Sequence, residues 1–293
     1  MKYIRILWSY ICGLCYIVWL KFIKKKPLPS LSDKCHPHLV VSLTSYGRRV
    51  AKTVVYALES ILVQTQRPDR IILWLDDENF SEDCLPKSLV NMRDKYGVEI
   101  RFCKDIRSYK KLIPTLGLCP DDIIVTIDDD LVYKRRLLEC LYSAHKETPD
   151  QIICALAHQP KVCGADFAPY RSWLSNLTSL IDGLVFPLGG SGVLYPPHSL
   201  SREVSREELF MQIAPQADDV WFWAMGIMAG TKVRLIDFGL PFYQIDLLYQ
   251  QTHKNSSLMS SNLHEDLNDV QIKQTKDYFP GFIDKMERLY GIK

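Results

Sequence analysis

The stretch from Asp121 to Leu131, DDIIVTIDDDL, constrains the fold more than any other part of the chain. Ile123, Ile124, Val125 and Ile127 make a short β-rich apolar run, the pattern of a strand buried on both faces of a parallel sheet. The run stops abruptly at Asp128, Asp129 and Asp130. A strand tip at the carboxyl edge of an α/β sheet is where such folds bind ligands. Carboxylates crowded there repel one another unless a cation or a donor-rich ligand offsets them. Hard oxygen ligands suit Mg²⁺ or Mn²⁺, held by one or two carboxylates together with phosphate oxygens. A lone acidic triplet is better read as a solvated turn, so the surrounding chain must decide.

That chain reads as alternating β and α units. Leu39 to Leu43 is a first buried strand, with Thr44-Ser45-Tyr46-Gly47-Arg48-Arg49 as the loop at its tip. Val50 to Gln64 places apolar residues on one helix face. Ile71 to Leu75 is a second strand, again ending in acids, Asp76, Asp77 and Glu78. A helix over Lys87 to Tyr96, a strand near Val98 to Cys103 and a short helix around Pro114 lead to the strand before Asp128. A helix over Lys134 to Lys146 and a strand over Ile152 to Ala157 come next. The spacing of Tyr170, Trp173 and Phe186 suggests a cleft lining. Gly189-Gly190-Ser191-Gly192 then precedes Val193 to Tyr195; glycines there make a tight turn or let backbone approach a ligand. Asp218 and Asp219 open a helix at Val220 to Met225, where capping explains acids without any function. Lys232 to Ile236 is a late strand, Gln250 to Ser261 a polar loop containing His253, and Asn262 to Lys276 and Gly281 to Tyr290 closing helices. Such alternation predicts a mostly parallel sheet with right-handed crossovers.

The 293 residues suffice for a full core, and 47% hydrophobic with 24% charged residues is an ordinary globular balance. A formal net charge of +2 offers no electrostatic case for a nucleic-acid partner. Nine cysteines without paired spacing suggest reduced thiols; Cys12 and Cys15 have redox spacing but no second ligand pair. The N-terminus departs from the rest. Ile6 to Leu20 carries no charge, and Trp8, Tyr10, Tyr16 and Trp19 are aromatics of the interfacial kind. The run is short against the roughly 20 apolar residues that span a bilayer. Residues 1–26 are therefore expected to form a membrane anchor or amphipathic helix, 27–38 a linker, and 39–293 the main folded domain. Lys21, Lys24, Lys25 and Lys26 favour a cytoplasmic face for that domain. Asn176-Leu177-Thr178 and Asn255-Ser256-Ser257 match glycosylation sequons and would suit a Golgi-type lumenal enzyme instead.

From about Leu39 to His253 the order of parts resembles the GT-A fold glycosyltransferases, in particular the inverting family 2 type. The matching pieces are VSLTSYGRRV, ALESILVQTQRPDRIILWL, IDDD, GGSGVLY and ADDVWFWAM. The resemblance implies a Rossmann-like α/β domain that moves a sugar from a nucleotide diphosphate donor, a UDP-sugar by preference, to a saccharide or lipid-linked saccharide. By the same resemblance Asp130, Asp128 and His253 hold Mn²⁺ or Mg²⁺, with Asp128 near the ribose beside Asp129. Thr44, Ser45 and Tyr46 meet the nucleotide, Asp76 or Asp77 accepts from uracil, and Lys110 and Lys111 contact the diphosphate. Gly189, Gly190, Ser191 and Gly192 border the donor sugar, and Trp221 and Trp223 stack on the acceptor or pack in the core. Asp219 matches the catalytic base; the residue before it in the family is Glu, here Asp218, which leaves both acids as candidates.

Other classes fit less well. Asp128-Asp129-Asp130-Leu131-Val132 fits the nucleophile string of haloacid dehalogenase-type phosphatases, but several α/β units precede it and that string belongs on a first strand. A nucleotidylyltransferase would need a glycine-rich loop after the first strand, where only Gly47 stands. A non-catalytic membrane-bound sugar-binding scaffold would have lost acids that this chain keeps.

Overall fold

The structure is a computed structural model that describes residues 2–31, 37–164, 166–179, 181–245 and 267–292, with only the backbone for 2–9. In chain order the elements are α1 (Lys2–Phe22), β1 (Leu39–Thr44), α2 (Arg49–Lys52), α3 (Val54–Leu62), β2 (Arg70–Asp76), α4 (Lys87–Tyr96) and β3 (Glu99–Cys103). Next come α5 (Ile113–Leu118), β4 (Ile123–Thr126), β5 (Leu131–Tyr133), α6 (Leu137–Glu147), β6 (Ile152–Cys154), β7 (Ala157–Gln159), β8 (Val162–Cys163) and β9 (Asp166–Phe167). They are followed by β10 (Leu174–Leu177), β11 (Phe186–Pro187), β12 (Val193–Tyr195), α7 (Glu207–Ile213), α8 (Asp218–Ala229), β13 (Val233–Leu235), β14 (Phe242–Gln244), α9 (Leu267–Tyr278) and α10 (Phe282–Tyr290).

A seven-stranded sheet in the order β13-β6-β12-β4-β1-β2-β3 organises the molecule. All its pairings are parallel except those of β12, which runs antiparallel to both β4 and β6. Successive residues of β4 serve opposite faces. Ile124 joins a core with Trp221, Phe222 and Met225 of α8, while Val125 joins one with Leu58 and Ile61 of α3 and Leu141 of α6. Burial on both faces is why the strands read as continuous apolar runs rather than alternating ones.

Within the described residues the expected elements are present with informative differences; the polar loop over Gln250 to Ser261 and the first residues of the helix expected from Asn262 lie outside them. The helix over Val50 to Gln64 is broken at Thr53 into α2 and α3. The strand over Ile152 to Ala157 divides because the chain leaves the large sheet after Cys154 and enters a three-stranded sheet, β10-β7-β11. Tyr170, Trp173 and Phe186 do not line a cleft. Trp173 and Phe186 are buried, and the rings pack on each other and, with His158 and Trp223, make one aromatic cluster. α7 has no clear signal in the sequence; its buried apolar residues are Leu209, Phe210 and Ile213, too short a run to stand out from its neighbours.

The N-terminal segment is a helix, but among the described residues no helix is long and apolar enough to cross a membrane. Nor does α1 stand apart from the domain. Leu20 is wholly buried against Val63 and Val132, with Tyr16, Ile17 and Ile23 around it. Gly13 lies against Tyr243 and Gln244 of β14, and Tyr16 packs on the Tyr243 ring.

Candidate functional site

The chain passes from β1 outward through β2 to β3, then returns to place β4 on the other side of β1. Neighbouring strands whose crossovers depart in opposite directions leave a crevice beyond their carboxyl ends. That crevice holds the loop after β1 and the acids after β4, and Ser45 Oγ donates to Asp129 Oδ2 at 2.5 Å across it. Because β12 is antiparallel, its N-terminal end meets the carboxyl end of β4: Val193 pairs with Thr126. Gly189 to Gly192 are thereby brought to the same edge, and Thr126 Oγ1 donates to the Gly189 carbonyl at 3.0 Å. The first turn of α8 adds Asp218 and Asp219.

Two cations organise these carboxylates. Arg49, at the start of α2, spans the triplet, with Nη1 3.0 Å from Asp129 Oδ1 and Nη2 3.0 Å from Asp130 Oδ2. Burial alone would lower the Arg49 pKa, but Asp130 and Asp129 outweigh it and hold the guanidinium charged. Burial raises Asp129, against the opposing pull of Arg49 and Ser45. Lys111 is buried, with Nζ 2.8 Å from Asp128 Oδ1 and 3.2 Å from Asp218 Oδ2. Desolvation disfavours its charge too; Asp128, Asp218 and Asp219 reverse this and raise it well above the ordinary lysine value.

The candidate bases have different surroundings. Asp218 is buried, and its Oδ1 accepts from Ser108 Oγ at 2.8 Å while Oδ2 faces Lys111. Asp219 is only partly buried, and its Oδ1 accepts from the Gly189 N–H at 3.0 Å. Desolvation, then the charge of Asp218, push the Asp219 carboxyl up to about 8, against the pull of Lys111. A carboxyl titrating there is close to the operating range of a general base.

At Gly189 and Gly190 carboxylates occupy the space a side chain would fill. A Cβ on Gly190 would fall onto the Asp128 carboxylate, and one on Gly189 onto Asp219 Oδ1. Tyr133 of β5 pins this loop: its hydroxyl donates to the Gly190 carbonyl at 2.5 Å and accepts from the Asp128 N–H at 2.7 Å.

Asp128, Asp129, Asp130, Lys111, Asp218, Asp219, Ser45 and the Gly189 to Gly192 loop, with Ser191 buried in it, are thus brought together. Thr44 Oγ1 is turned to the Trp74 carbonyl, and Tyr46 is exposed beneath the Arg49 guanidinium, 5.2 Å from its ring centre. Asp76 is buried and accepts from the Asn79 backbone and side chain, whereas Asp77 is exposed. Lys110 is not on an open helix edge but buried and paired with Asp105. Neither tryptophan is placed to stack on an acceptor: Trp221 and Trp223 are both buried, Trp221 Nε1 donating to the Val204 carbonyl at 3.0 Å. The reason is that α8 lies between the sheet and the α9–α10 pair, so both its faces are covered. His253 lies outside the described residues. Arg49, Ser108 and Tyr133 were not singled out from sequence; only the Arg48-Arg49 pair in the first tip loop gave any signal.

Among the described residues no group of three His, Cys, Asp or Glu side chains is arranged to hold a metal ion. The donor set at the tip nonetheless suits a hard cation that takes one or two carboxylates and completes its shell with phosphate oxygens and water. Asp128 and Asp130, paired here with Lys111 and Arg49, are the carboxylates that would hold it.

No protein-family model and no curated protein matches this chain. Solved structures are similar to it. One is a CMP:2-keto-3-deoxy-manno-octonic acid synthetase complexed with CTP, at 11% identity and TM-score 0.45, covering 75% of this chain and 98% of that one. Another is S. aureus TarS, at 10% identity and TM-score 0.49, covering 85% of this chain but 43% of that one. A third is TarS 1-349, at 10% identity and TM-score 0.46, covering 87% and 83% respectively. The central sheet is mostly parallel and flanked by helices. At such low identity and TM-score, the functional reading rests on the chain's own geometry.

Proposed function

We propose that the protein is a glycosyltransferase that moves a sugar from a nucleotide diphosphate donor, a UDP-sugar, to a saccharide or lipid-linked saccharide. The observation that carries this reading is the meeting of the Asp128–Asp130 tip, the Gly189–Gly192 loop and the Asp218–Asp219 helix start around Lys111, at the switch point of the sheet. The donor's nucleotide would enter over the β1 loop, with Ser45 and Tyr46 on one side and Asp77 at the β2 tip. Lys111 and Arg49 would offset the diphosphate charge as it leaves with the nucleotide. A divalent ion held by Asp128 and Asp130 would add Lewis-acid stabilisation of that same charge. Asp219 is the better-placed base, because it retains access to the crevice while Asp218 is held by Ser108 and Lys111. A sugar hydroxyl is a poor nucleophile at neutral pH, so a positioned carboxylate takes its proton as the attack proceeds. Attack from the side opposite the departing diphosphate would invert the anomeric centre.

The test is a screen of nucleotide sugars for donor hydrolysis, with and without Mn²⁺. Turnover of one UDP-sugar that is lost in Asp130→Asn is the expected result. Phosphatase activity on small phosphomonoesters, with no turnover of any nucleotide sugar, would overturn the proposal.

A further inference from the structure

The two faces of α1 are unlike in a way that its packing on the domain does not explain. Gly13, Tyr16, Ile17 and Leu20 face inward. On the opposite side Ile11, Leu14, Cys15, Val18 and Phe22 have helical spacing, and they face solvent. Ile11 is 43% exposed, Leu14 45%, Val18 53% and Phe22 84%. This continuous stripe contains no polar side chain but the Cys15 thiol, and exposed lysines Lys21, Lys24 and Lys26 border its end. Trp19 lies exposed on its flank.

Charge identifies the occupant. Six of the 36 lysines and arginines and none of the 34 acids precede Asp33, which leaves the remainder of the chain with a formal charge of −4. Lys25 is engaged with Glu59, so the outward lysines are those beside the stripe. A second copy docking through α1 would set one basic segment against another in either orientation, with no acid on the segment to pair. An anionic lipid surface offers both missing partners, acyl chains for the stripe and headgroups for the lysines.

We propose that α1 is an in-plane membrane-docking helix, its outer stripe sunk into the interface of an anionic bilayer while its inner face stays on the domain. The docked geometry has a consequence for the site. The inner face of α1 rests on β14, which pairs with β5, and β5 begins at the residue after Asp130. The bilayer would therefore lie along the flank of the domain that carries the acidic tip, which suits an acceptor presented from a lipid. The docking does not depend on the sugar-transfer reading.

The experiment is co-sedimentation of the full chain with phosphatidylcholine vesicles, alone or mixed with phosphatidylglycerol, at low and high salt. Binding is expected to the mixed vesicles and to weaken with salt, since surface charge is screened within about 10 Å at 0.1 M. Replacing Lys21, Lys24 and Lys26 together by Ala should weaken it by about a hundredfold, given roughly 1 kcal/mol for each basic residue at such a surface and tenfold for each 1.4 kcal/mol. Val18→Asp with Phe22→Asp should abolish it with the thermal unfolding midpoint unchanged, because both side chains face solvent. Equal failure to sediment with either vesicle would overturn the proposal. So would concentration-dependent dimerisation abolished by the same aspartates, which would assign the stripe to a second copy. Retention in the vesicle pellet after alkaline extraction would indicate spanning rather than in-plane docking, and would overturn it as well.

Discussion

At the residue scale, Asp219 is the proposed base and carries a strongly perturbed carboxyl. Asp219→Asn keeps the side-chain shape and should fold and bind donor, while transfer falls by roughly 10²–10⁴, the usual loss for a general base. Rates with saturating donor and acceptor decide it; near-normal transfer would return the role to Asp218. In the wild type, kcat/KM should rise with pH through about 8, because the base acts when ionised. The stability consequence has the opposite sign. A carboxyl raised from 3.8 in the unfolded chain to about 8 in the fold adds stability that is complete below 3.8 and is lost as pH rises through about 8. Asp219→Asn does not titrate, so its melting temperature should gain on the wild type between pH 5 and pH 8. Equal shifts at both pH values would show that the carboxyl is not perturbed. Arg49 is the complementary case. Arg49→Met leaves Asp129 and Asp130 crowded without their cation and should cost about 3 kcal/mol by urea unfolding. Adding Asp129→Asn should recover part of that loss, whereas additive losses would argue that the pair is not coupled.

At the scale of elements, the antiparallel direction of β12 is what brings a glycine loop to an acidic strand tip. Gly190→Ala should displace the Asp128 carboxylate and weaken nucleotide diphosphate binding, with an overpacking cost of about 1–3 kcal/mol. Gly230 supplies the control. It ends α8 at φ 81° with open space around it, so Gly230→Ala should lose roughly 1–2 kcal/mol of stability and spare affinity. Calorimetric titration with UDP separates the two; equal affinities would remove the close-approach explanation for Gly190. The same element shows where pattern reading misleads. Trp221 and Trp223 begin a helix beside candidate catalytic acids, which suggests a stacking platform. They are core because α9 and α10, distant in sequence, pack over α8, with Phe279 on Trp221 and Phe282 on Trp223.

For the whole molecule, α1 belongs to the folded body as well as to its surface. Deleting residues 1–26 uncovers Val63 and Val132 and removes Leu20 from its pocket, so the truncated chain should melt lower yet keep nucleotide binding. Loss of one such buried leucine costs about 2–5 kcal/mol. Loss of nucleotide binding in a chain that still unfolds cooperatively would mean that α1 shapes the site. The alternating strands and helices, and the acids at the β4 tip, were legible from sequence because burial on both faces imposes apolar runs and because acids end them abruptly. The glycine loop and the acids opening α8 were visible as well, each with a bland explanation beside it. What joined them was tertiary. Arg49, Ser108 and Tyr133 are ordinary residues in sequence, and they matter because a switch in strand order and one reversed strand bring distant loops within hydrogen-bond reach. Side-chain periodicity is set by local backbone geometry and can be read along a chain. The charge partner of a buried carboxylate is set by which strands are neighbours, and only the folded sheet decides that.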